Sequence, residues 1–467
     1  MVKKVDIKVS NKIEITNPNS NIVEWCKENL ILSNPEFQKK QRMGLWVGNT
    51  PRQIVLYETD GNKILLPFGC LRSIWRLCND EDRKNIENQI GGLRHISYGS
   101  NINTYDYQEK AVREAIRARN GVVVMPCGAG KTQTALEIIS RIGGKALWLT
   151  HTQDLLNQSM NRAKSVYGLP SSAYGTITGG KVNIGSAITF ATVQTMSKID
   201  LRQYKDCWDV VVVDECHKAV GSPTKVMQFY LVLSNLCCRY KYGLTATPKR
   251  SDGLEKSMYA LLGGIVYEVS KDAVKDTTCP VKVITYKTGY IPNLDLVLSG
   301  DGTLNYSALV DDLIENEERF NFVGNIINRN TEGATLVLGN RVKYLQELCE
   351  CYDGKAVCLS TMGNSRSAKE ERKNVLKQLN NGEIDCVFAT YQLAKEGLDV
   401  PNLRYIVFVT PEKDPTTIEQ STGRVGRKAD EKSYGTVIDF VDEFGMYKGW
   451  QKKRLSVYKK IGCDIIE

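Results

Sequence analysis

Val122-Val123-Val124-Met125-Pro126-Cys127-Gly128-Ala129-Gly130-Lys131-Thr132 is the stretch that decides the fold. Four apolar residues in succession read as a strand buried on both faces, and the residues from Lys131 onward resume a helical pattern. Small residues between a strand and a helix let backbone N–H groups close around phosphate oxygens at the helix N-terminus. The Lys131 ammonium then reaches the β and γ phosphates, and the Thr132 hydroxyl can ligate Mg²⁺. Met125 stands where the longer G-x-x-x-x-G-K-T pattern has its first glycine, so the match is to a shorter form. The competing reading is a Gly-rich turn that only caps a helix; the position directly after a strand argues against it.

Val210-Val211-Val212-Val213-Asp214-Glu215-Cys216-His217 supplies what that loop lacks. A buried strand delivers two adjacent carboxylates at its C-terminal end, where open α/β sheets bind ligands. Asp214 can hold Mg²⁺ through its water shell, and Glu215 can orient or deprotonate an attacking water, since phosphoryl transfer needs positioning and charge neutralisation above all. Taken alone, the pair reads equally well as a helix cap.

Working outward, a helix is expected from Asp106 to about Ala118, and further apolar runs lie at 146–149 and 187–190. The texture returns at 334–338, 356–359, 386–389 and 405–409. Strands alternating with helices predict two α/β domains in tandem, each on a parallel sheet. A less regular stretch near 253–330 joins them. In the second domain, Gln420-Ser421-Thr422-Gly423-Arg424-Val425-Gly426-Arg427 sets two arginines three apart, which on a helix is one face. Their permanently charged planar forks suit phosphate.

These motifs, in this order across residues 104–445, resemble those of the superfamily-two helicases, most closely the XPB-like and UvsW-type phage branch-migration helicases. Gly128 to Thr132 resembles the first motif and Asp214 to His217 the DEAH-type box. Tyr107-Gln108 resembles the adenine-reading motif, and Thr150-His151-Thr152 and Thr192-Val193-Gln194-Thr195 resemble the next two. Leu244 to Pro248 resembles the coupling motif, Gly339 to Arg341 the fourth, Ala389 through Pro401 the fifth and Gln420 to Arg427 the sixth.

The resemblance implies two RecA-like domains with ATP between them, and a small N-terminal α+β accessory domain. The boundaries are 1–100 for the accessory domain, 101–268 for the first motor domain, 269–445 for the second with a linker at 269–330, and 446–467 for a basic tail. It implies ATP and Mg²⁺ as cofactors, and Lys131, Asp214, Glu215, Gln420, Arg424 and Arg427 as the catalytic set. Gln108, Gly128, Ala129, Gly130, Lys131, Thr132, Gly397 and Asp399 would bind nucleotide, with Thr132 and Asp214 holding the metal. Where the close relatives carry an arginine before their Pro-Tyr-Gln element, this chain has Tyr105, which would stack on adenine. His217, Thr245 and Thr247 would couple hydrolysis to movement. His151, Thr152, Thr192, Gln194, Arg250, Asn340, Arg341 and Thr390 would touch nucleic-acid backbone. Cys127 beside the phosphate loop is either a small buried residue or a thiol of lowered pKa.

The activity implied is an ATP-dependent DNA helicase or translocase that remodels forks, R-loops and four-way junctions. The alternatives are an RNA helicase or the motor subunit of a restriction or defence complex. The expected partner is single-stranded and branched DNA, with RNA second, bound by a monomer in bacterial or phage-infected cytoplasm.

Composition agrees and excludes little else. The chain of 467 residues is 42% apolar and 25% charged, with 62 basic against 53 acidic residues, a balance that favours polyanions. The alternation in Val2–Thr16 is not that of a secretory signal, and no apolar run is long enough for a membrane span. Fourteen cysteines form no C-x-x-C pair and there are three histidines, so a zinc ribbon or histidine-rich metal site is not expected. The first hundred residues hold three of the six tryptophans. Hairpins are expected around Ser10-Asn11 and Asp60-Gly61-Asn62, and a helix capped at Asn19-Ser20 is expected to run to Leu30. Lys3, Lys4, Lys39, Lys40 and Arg42, interleaved with Trp46, and the group Arg72, Trp75, Arg76 could bind nucleic acid. The alternative puts Trp46 and Trp75 in that domain's core. The tail, with Tyr447, Trp450 and Tyr458, is expected to be a helix packing its aromatics on the second motor domain.

Overall fold

The computed structural model describes every residue except 1–4, 127, 221, 249–251, 271, 301, 364, 396, 397, 399, 430, 431 and 467, together with the side chains at 219, 276, 366 and 395. Contacts divide the chain into two compact units, Met1–Pro126 with Gly130–Ser270, and Lys271–Glu467 with Cys127–Ala129. The sequence-derived class holds: each unit is built on a mostly parallel sheet of the RecA-like kind, and the first also carries a small α+β module.

The first unit's large sheet has eight strands. From one edge they run Lys181–Asn183, Tyr174–Thr178, Ile188–Thr192, Ala146–Thr150, Val210–Val213, Tyr240–Thr245, Asn120–Val124 and Ile265–Glu268. All pairings are parallel except that of Lys181–Asn183 with Tyr174–Thr178. Val210–Val213 is buried along its whole length, as are its neighbour Ala146–Thr150 and Ile188–Thr192. That is why these strands read as unbroken apolar runs. Parallel direction brings the loops after Val124, Thr150, Thr192, Val213 and Thr245 to one end of the sheet.

The N-terminal module is a five-stranded sheet in the order Glu58–Asp60, Lys63–Pro67, Lys12–Thr16, Asp6–Val9, Ile86–Asn88. Both expected hairpins form. The helix Ser20–Leu30 begins where Asn19 Oδ1 accepts the Ile22 N–H at 2.9 Å. The module's core is continuous with that of the parallel sheet: Ile7, Ile13, Ile22 and Leu66 belong to the same buried cluster as Leu147, Val211 and Leu261. Polar contacts cross the same seam. Tyr230 donates to Glu58 at 3.0 Å, which also receives Lys12 at 2.7 Å. The fully buried Lys241 donates to the carbonyls of Leu233 and Leu236 and lies 4.9 Å from the Phe68 ring centroid. Trp46 is 88% exposed and Trp75 47% exposed, so neither forms the module's core; Trp25 packs against it instead.

The second unit's sheet has seven parallel strands. They run Ala356–Cys358, Cys386–Thr390, Thr335–Gly339, Tyr405–Phe408, Gly435–Val441, Val281–Lys287 and Asp464–Ile466. Val281–Lys287 falls inside the stretch expected to be irregular. It is only part-buried, so it carries no apolar run, and its identity as a strand comes from seven residues of pairing with Gly435–Val441. The tail forms the helix Gly445–Ile461, with Tyr447, Trp450 and Tyr458 buried as expected. Arg454 is buried with them, donating to Asp439 at 2.7 Å and to the carbonyls of Glu412 and Phe440. A second buried pair, Arg319 with Asp442 at 2.7 Å, anchors the helix Glu317–Asn330.

Gly69 marks a close approach of the module to the end of the helix Glu255–Leu262: a Cβ there would lie 2.4 Å from the Gly263 nitrogen and 2.5 Å from the Ala260 carbonyl oxygen. These are backbone atoms and cannot turn aside. Gly69→Val is therefore expected to destabilise the first unit by about 3 kcal/mol or more, beyond ordinary overpacking. An unchanged denaturant midpoint would show that the seam is not rigid.

Candidate active site

The end of the first parallel sheet gathers the charged residues. Gly128 and Gly130 have φ of 83° and 76°, a conformation that costs a side-chain-bearing residue but not glycine. Gly130 also sits so close to Gln108 that a Cβ would come within 2.4 Å of Nε2. The helix Lys131–Ile142 starts directly after, so its free N–H groups and positive dipole end face the loop. Thr132 is the second residue of that helix.

Lys131 Nζ lies 3.8 Å from Glu215 Oε1. Glu215 is held at φ 47°, ψ 50°, the left-handed region, which a non-glycine residue occupies at a cost that surrounding structure must sustain. Its other oxygen is 3.3 Å from His217 Nδ1, and the same nitrogen is 3.0 Å from Thr245 Oγ1. Thr245 Oγ1 in turn accepts the Thr247 N–H at 3.0 Å. A connected path thus runs from Lys131 through Glu215 and His217 to Thr245 and Thr247, across three neighbouring strand ends.

Asp214 is 7% exposed. It accepts the Glu215 N–H at 2.9 Å and the Ser159 hydroxyl at 3.4 Å. Burial, and then the charge of Glu215, push its carboxyl up to about 7, against the pull of Lys131. Burial acts upward on Glu215 too, but Lys131, His217 and Lys218 outweigh it and hold that carboxyl below its ordinary value. The buried Asp214 fits a Mg²⁺ site: a divalent ion would supply positive charge there, and the hydroxyl of Thr132 is the right kind of hard oxygen donor. Ser159 was not foreseen; nothing local marks a serine on the helix Gln153–Val166 as a partner of a carboxylate 55 positions away.

Tyr105 precedes the helix Asp106–Ala118, with its N–H donating to Gln108 Oε1 at 3.0 Å. Tyr105 is 56% exposed and stacked on Tyr107, ring centroids 5.6 Å apart and nearly parallel. A flat aromatic face is therefore presented near a polar amide. The residues expected at nucleic-acid backbone also lie at strand ends. Thr152 caps the helix Gln153–Val166 by accepting the Leu155 N–H, Gln194 donates to the His151 carbonyl at 2.9 Å, and Thr192 bonds Thr195. Burial, followed by the nearby charges of Lys218 and Lys225, lowers the His151 pKa to about 3.

In the second unit, Gln420 and Arg424 lie on the helix Pro415–Val425, and Arg424 donates to the Ala394 carbonyl at 2.7 Å. Arg427 is not on that helix, contrary to the expected shared face. Gly426 is the cap, and the Arg427 backbone turns away into an isolated bridge with Thr278. The Asn340 N–H donates to Thr410 at 2.9 Å. Arg341 is engaged by Asp311 at 2.7 Å and by Ser307. Thr390 ends its strand and accepts the Leu393 N–H. Gly397, Asp399 and Arg250, with Cys127, Lys3 and Lys4, lie outside the described residues.

Residues 101–250 match the family model of the type III restriction enzyme res subunit, and residues 318–429 match that of the helicase conserved C-terminal domain. The chain is 25% identical to a putative ATP-dependent RNA helicase of Acanthamoeba polyphaga mimivirus, over 87% of this chain and 76% of that one. It is 24% identical to the DNA 3'-5' translocase XPB2 of Sulfurisphaera tokodaii, over 74% and 84%. It is 22% identical to the ATP-dependent DNA helicase uvsW of Enterobacteria phage T4, over 88% and 84%. Among solved structures, S. cerevisiae Dbp5 bound to RNA and ADP BeF3 superposes with a TM-score of 0.56 at 16% identity, covering 78% of this chain and 90% of that one, which shows the shared fold. Fold, strand-end chemistry and both family models define a nucleic-acid-dependent ATPase. The chain carries these two helicase-family domains in tandem and is similar to XPB and UvsW helicases, in keeping with a superfamily-two helicase.

His151 provides a pH test. Its folded pKa lies below the unfolded value, so the unfolded chain takes up a proton that the folded chain refuses. Stability from this group is complete above about pH 6.5 and is lost as pH falls from there toward about 3. His151→Gln should therefore show a shallower fall in melting temperature between pH 6.5 and 5 than the parent. Equal slopes would mean that His151 protonates in the folded protein.

Proposed function

We propose that this helicase is an ATP-driven DNA translocase that remodels branched DNA, acting on forks, R-loops and four-way junctions. It would use Mg²⁺–ATP and work as a monomer in bacterial or phage-infected cytoplasm. The observation that carries the motor assignment is the connected path from Lys131 through Glu215 and His217 to Thr245. A lysine at the phosphate end and a hydroxyl at the coupling end flank one carboxylate and one imidazole at 3.8, 3.3 and 3.0 Å, a geometry through which loss of a phosphate at one end would be felt at the other.

In this reading Lys131 and the loop N–H groups bind the β and γ phosphates, and Glu215 orients the attacking water. Asp214 and Thr132 hold the metal, which neutralises charge on the phosphates. Tyr105 and Gln108 take the adenine, and Gln420, Arg424 and Arg427 sense and stabilise the transferring phosphoryl group. His151, Thr152, Thr192, Gln194, Asn340, Arg341 and Thr390 grip nucleic-acid backbone. DNA is favoured by the relatives named as a DNA translocase and a DNA helicase. RNA is the second reading, supported by the mimiviral relative named as an RNA helicase. In the N-terminal module the exposed Trp46, beside Lys39, Lys40 and Arg42, suits a junction arm. Among the described residues no helix is long and apolar enough to cross a membrane.

ATP hydrolysis measured with forked DNA, single-stranded DNA and RNA in parallel, with Lys131→Ala as the blank, should show the greatest stimulation by forked DNA. Greatest stimulation by RNA would overturn the DNA assignment. Arg427→Ala should lower kcat by about 10³-fold, the scale of a lost arginine finger, with nucleotide affinity little changed. Equal hydrolysis by that variant would remove Arg427 from the catalytic set. Because the N-terminal module shares its core with the first sheet, point substitution is the better probe of its role than deletion. Trp46→Ala should impair junction remodelling while leaving single-strand-stimulated ATPase intact.

A further inference from the structure

A cleft of about 1000 Å³ opens where the N-terminal module meets the first parallel sheet. Its floor is the close seam at Gly69, where Cys70 Sγ approaches the Ala260 carbonyl at 3.6 Å and Asn120 donates to the Leu262 carbonyl at 3.2 Å. Asn120 and Ile265 are the first residues of their strands, so the cleft lies at the N-terminal end of the sheet. The phosphate loop and the strand ends carrying Thr150, Thr192, Asp214 and Thr245 all lie at the other end. The cleft is therefore separate from the catalytic residues and from the backbone-gripping motifs.

The lining has a defined chemistry. Arg72, Arg76, Arg117 and Lys256 are exposed there, with the exposed Trp75 and the half-buried Trp25 also in the lining. Glu114 is the one carboxylate in the lining, and it reaches Arg117 only at 3.9 Å. Arg72, Arg76 and Lys256 have no acidic partner among the described residues. Trp75 is 47% exposed and is braced by Arg83, whose guanidinium lies 5.7 Å from its ring centroid and is itself held by Asp80 at 2.9 Å. Arginine forks in the same cleft as one exposed and one half-buried indole suit a ligand that alternates phosphate with flat bases. An acidic peptide would satisfy the charges and leave the indoles unused. A cleft of this volume, at the upper end of the roughly 300–1,000 Å³ that small ligands occupy, admits a short flexible segment and not a rigid duplex.

We propose that this cleft is a second nucleic-acid site, which binds a single strand by stacking bases on Trp75 and Trp25 and pairing phosphates with Arg72, Arg76 and Lys256. It rests on the reading of the chain as a nucleic-acid motor and adds to it a holding site remote from the ATP. Such a site keeps a displaced or flanking strand attached while the motor advances on its own track.

The test uses the full chain with fluorescent oligothymidylate, a duplex of equal length and polyglutamate as competitor. Arg72→Glu combined with Arg76→Glu, and separately Trp75→Ala, should each weaken oligothymidylate binding about tenfold or more. They should leave ATPase without nucleic acid unchanged and leave the melting temperature at the parent value. Photocrosslinking of a halogenated oligonucleotide should label the peptide that contains Trp75. Affinity within twofold of the parent in both variants, equal loss of duplex and single-strand binding, or displacement of the oligonucleotide by polyglutamate would each overturn the proposal. Failure of the motor reading is seen separately, as a parent chain whose ATPase no nucleic acid stimulates.

Discussion

Two adjacent, largely buried carboxylates at one strand end, with Lys131 3.8 Å away, are the constraint around which the end of the first sheet is organised. Asp214 and Glu215 follow a strand with no exposed residue, and Lys131, His217 and Lys218 supply the positive charge around Glu215. The imbalance shows in Asp214, whose carboxyl is driven up by burial and by Glu215. At Asp214 a divalent cation would supply positive charge that the protein does not. The left-handed backbone at Glu215 belongs to the same economy: strain of that kind persists where neighbouring elements over-determine the geometry, here the flanking strands and the His217–Thr245 contact.

Around that centre the parallel sheet does the positioning. Parallel strands put every loop of interest at one end without any of them needing to be close in sequence. Thr192, Thr150, Val213 and Thr245 end four successive strands of the sheet, although adjacent members of that series lie 42, 63 and 32 positions apart in the chain. The opposite end of the sheet is left for another use, and there the N-terminal module is seated backbone to backbone at Gly69. Its core runs on into that of the sheet, while Trp46 and Trp75 stay at its surface.

The second unit solves a different problem with buried ion pairs. Arg319 with Asp442 and Arg454 with Asp439 are each removed from water, and each arginine also reaches backbone carbonyls or a tyrosine. Such pairs contribute little net stability but are costly to break, so they specify where the helices Glu317–Asn330 and Gly445–Ile461 dock. A tail that looks merely basic in composition thereby becomes a fixed part of the sheet's cover.

The strand-loop-helix at Val122–Thr132, the acidic strand end at Asp214 and the class of the fold were legible in the chain itself. A strand buried on both faces must be apolar throughout, and a phosphate loop must be built of small residues. The same holds for the first hairpins and the cap at Asn19, which follow from local alternation and turn chemistry. What local pattern could not supply was anything that depends on a partner distant in the chain. Val281–Lys287 is a strand because Gly435–Val441 pairs with it, Ser159 matters because Asp214 lies beside it, and Arg427 leaves its helix at Gly426. Trp46 and Trp75 are exposed because other residues filled the core first. Periodicity records which face of an element is buried, and only the assembled packing decides what that face is buried against and which large side chains remain in water.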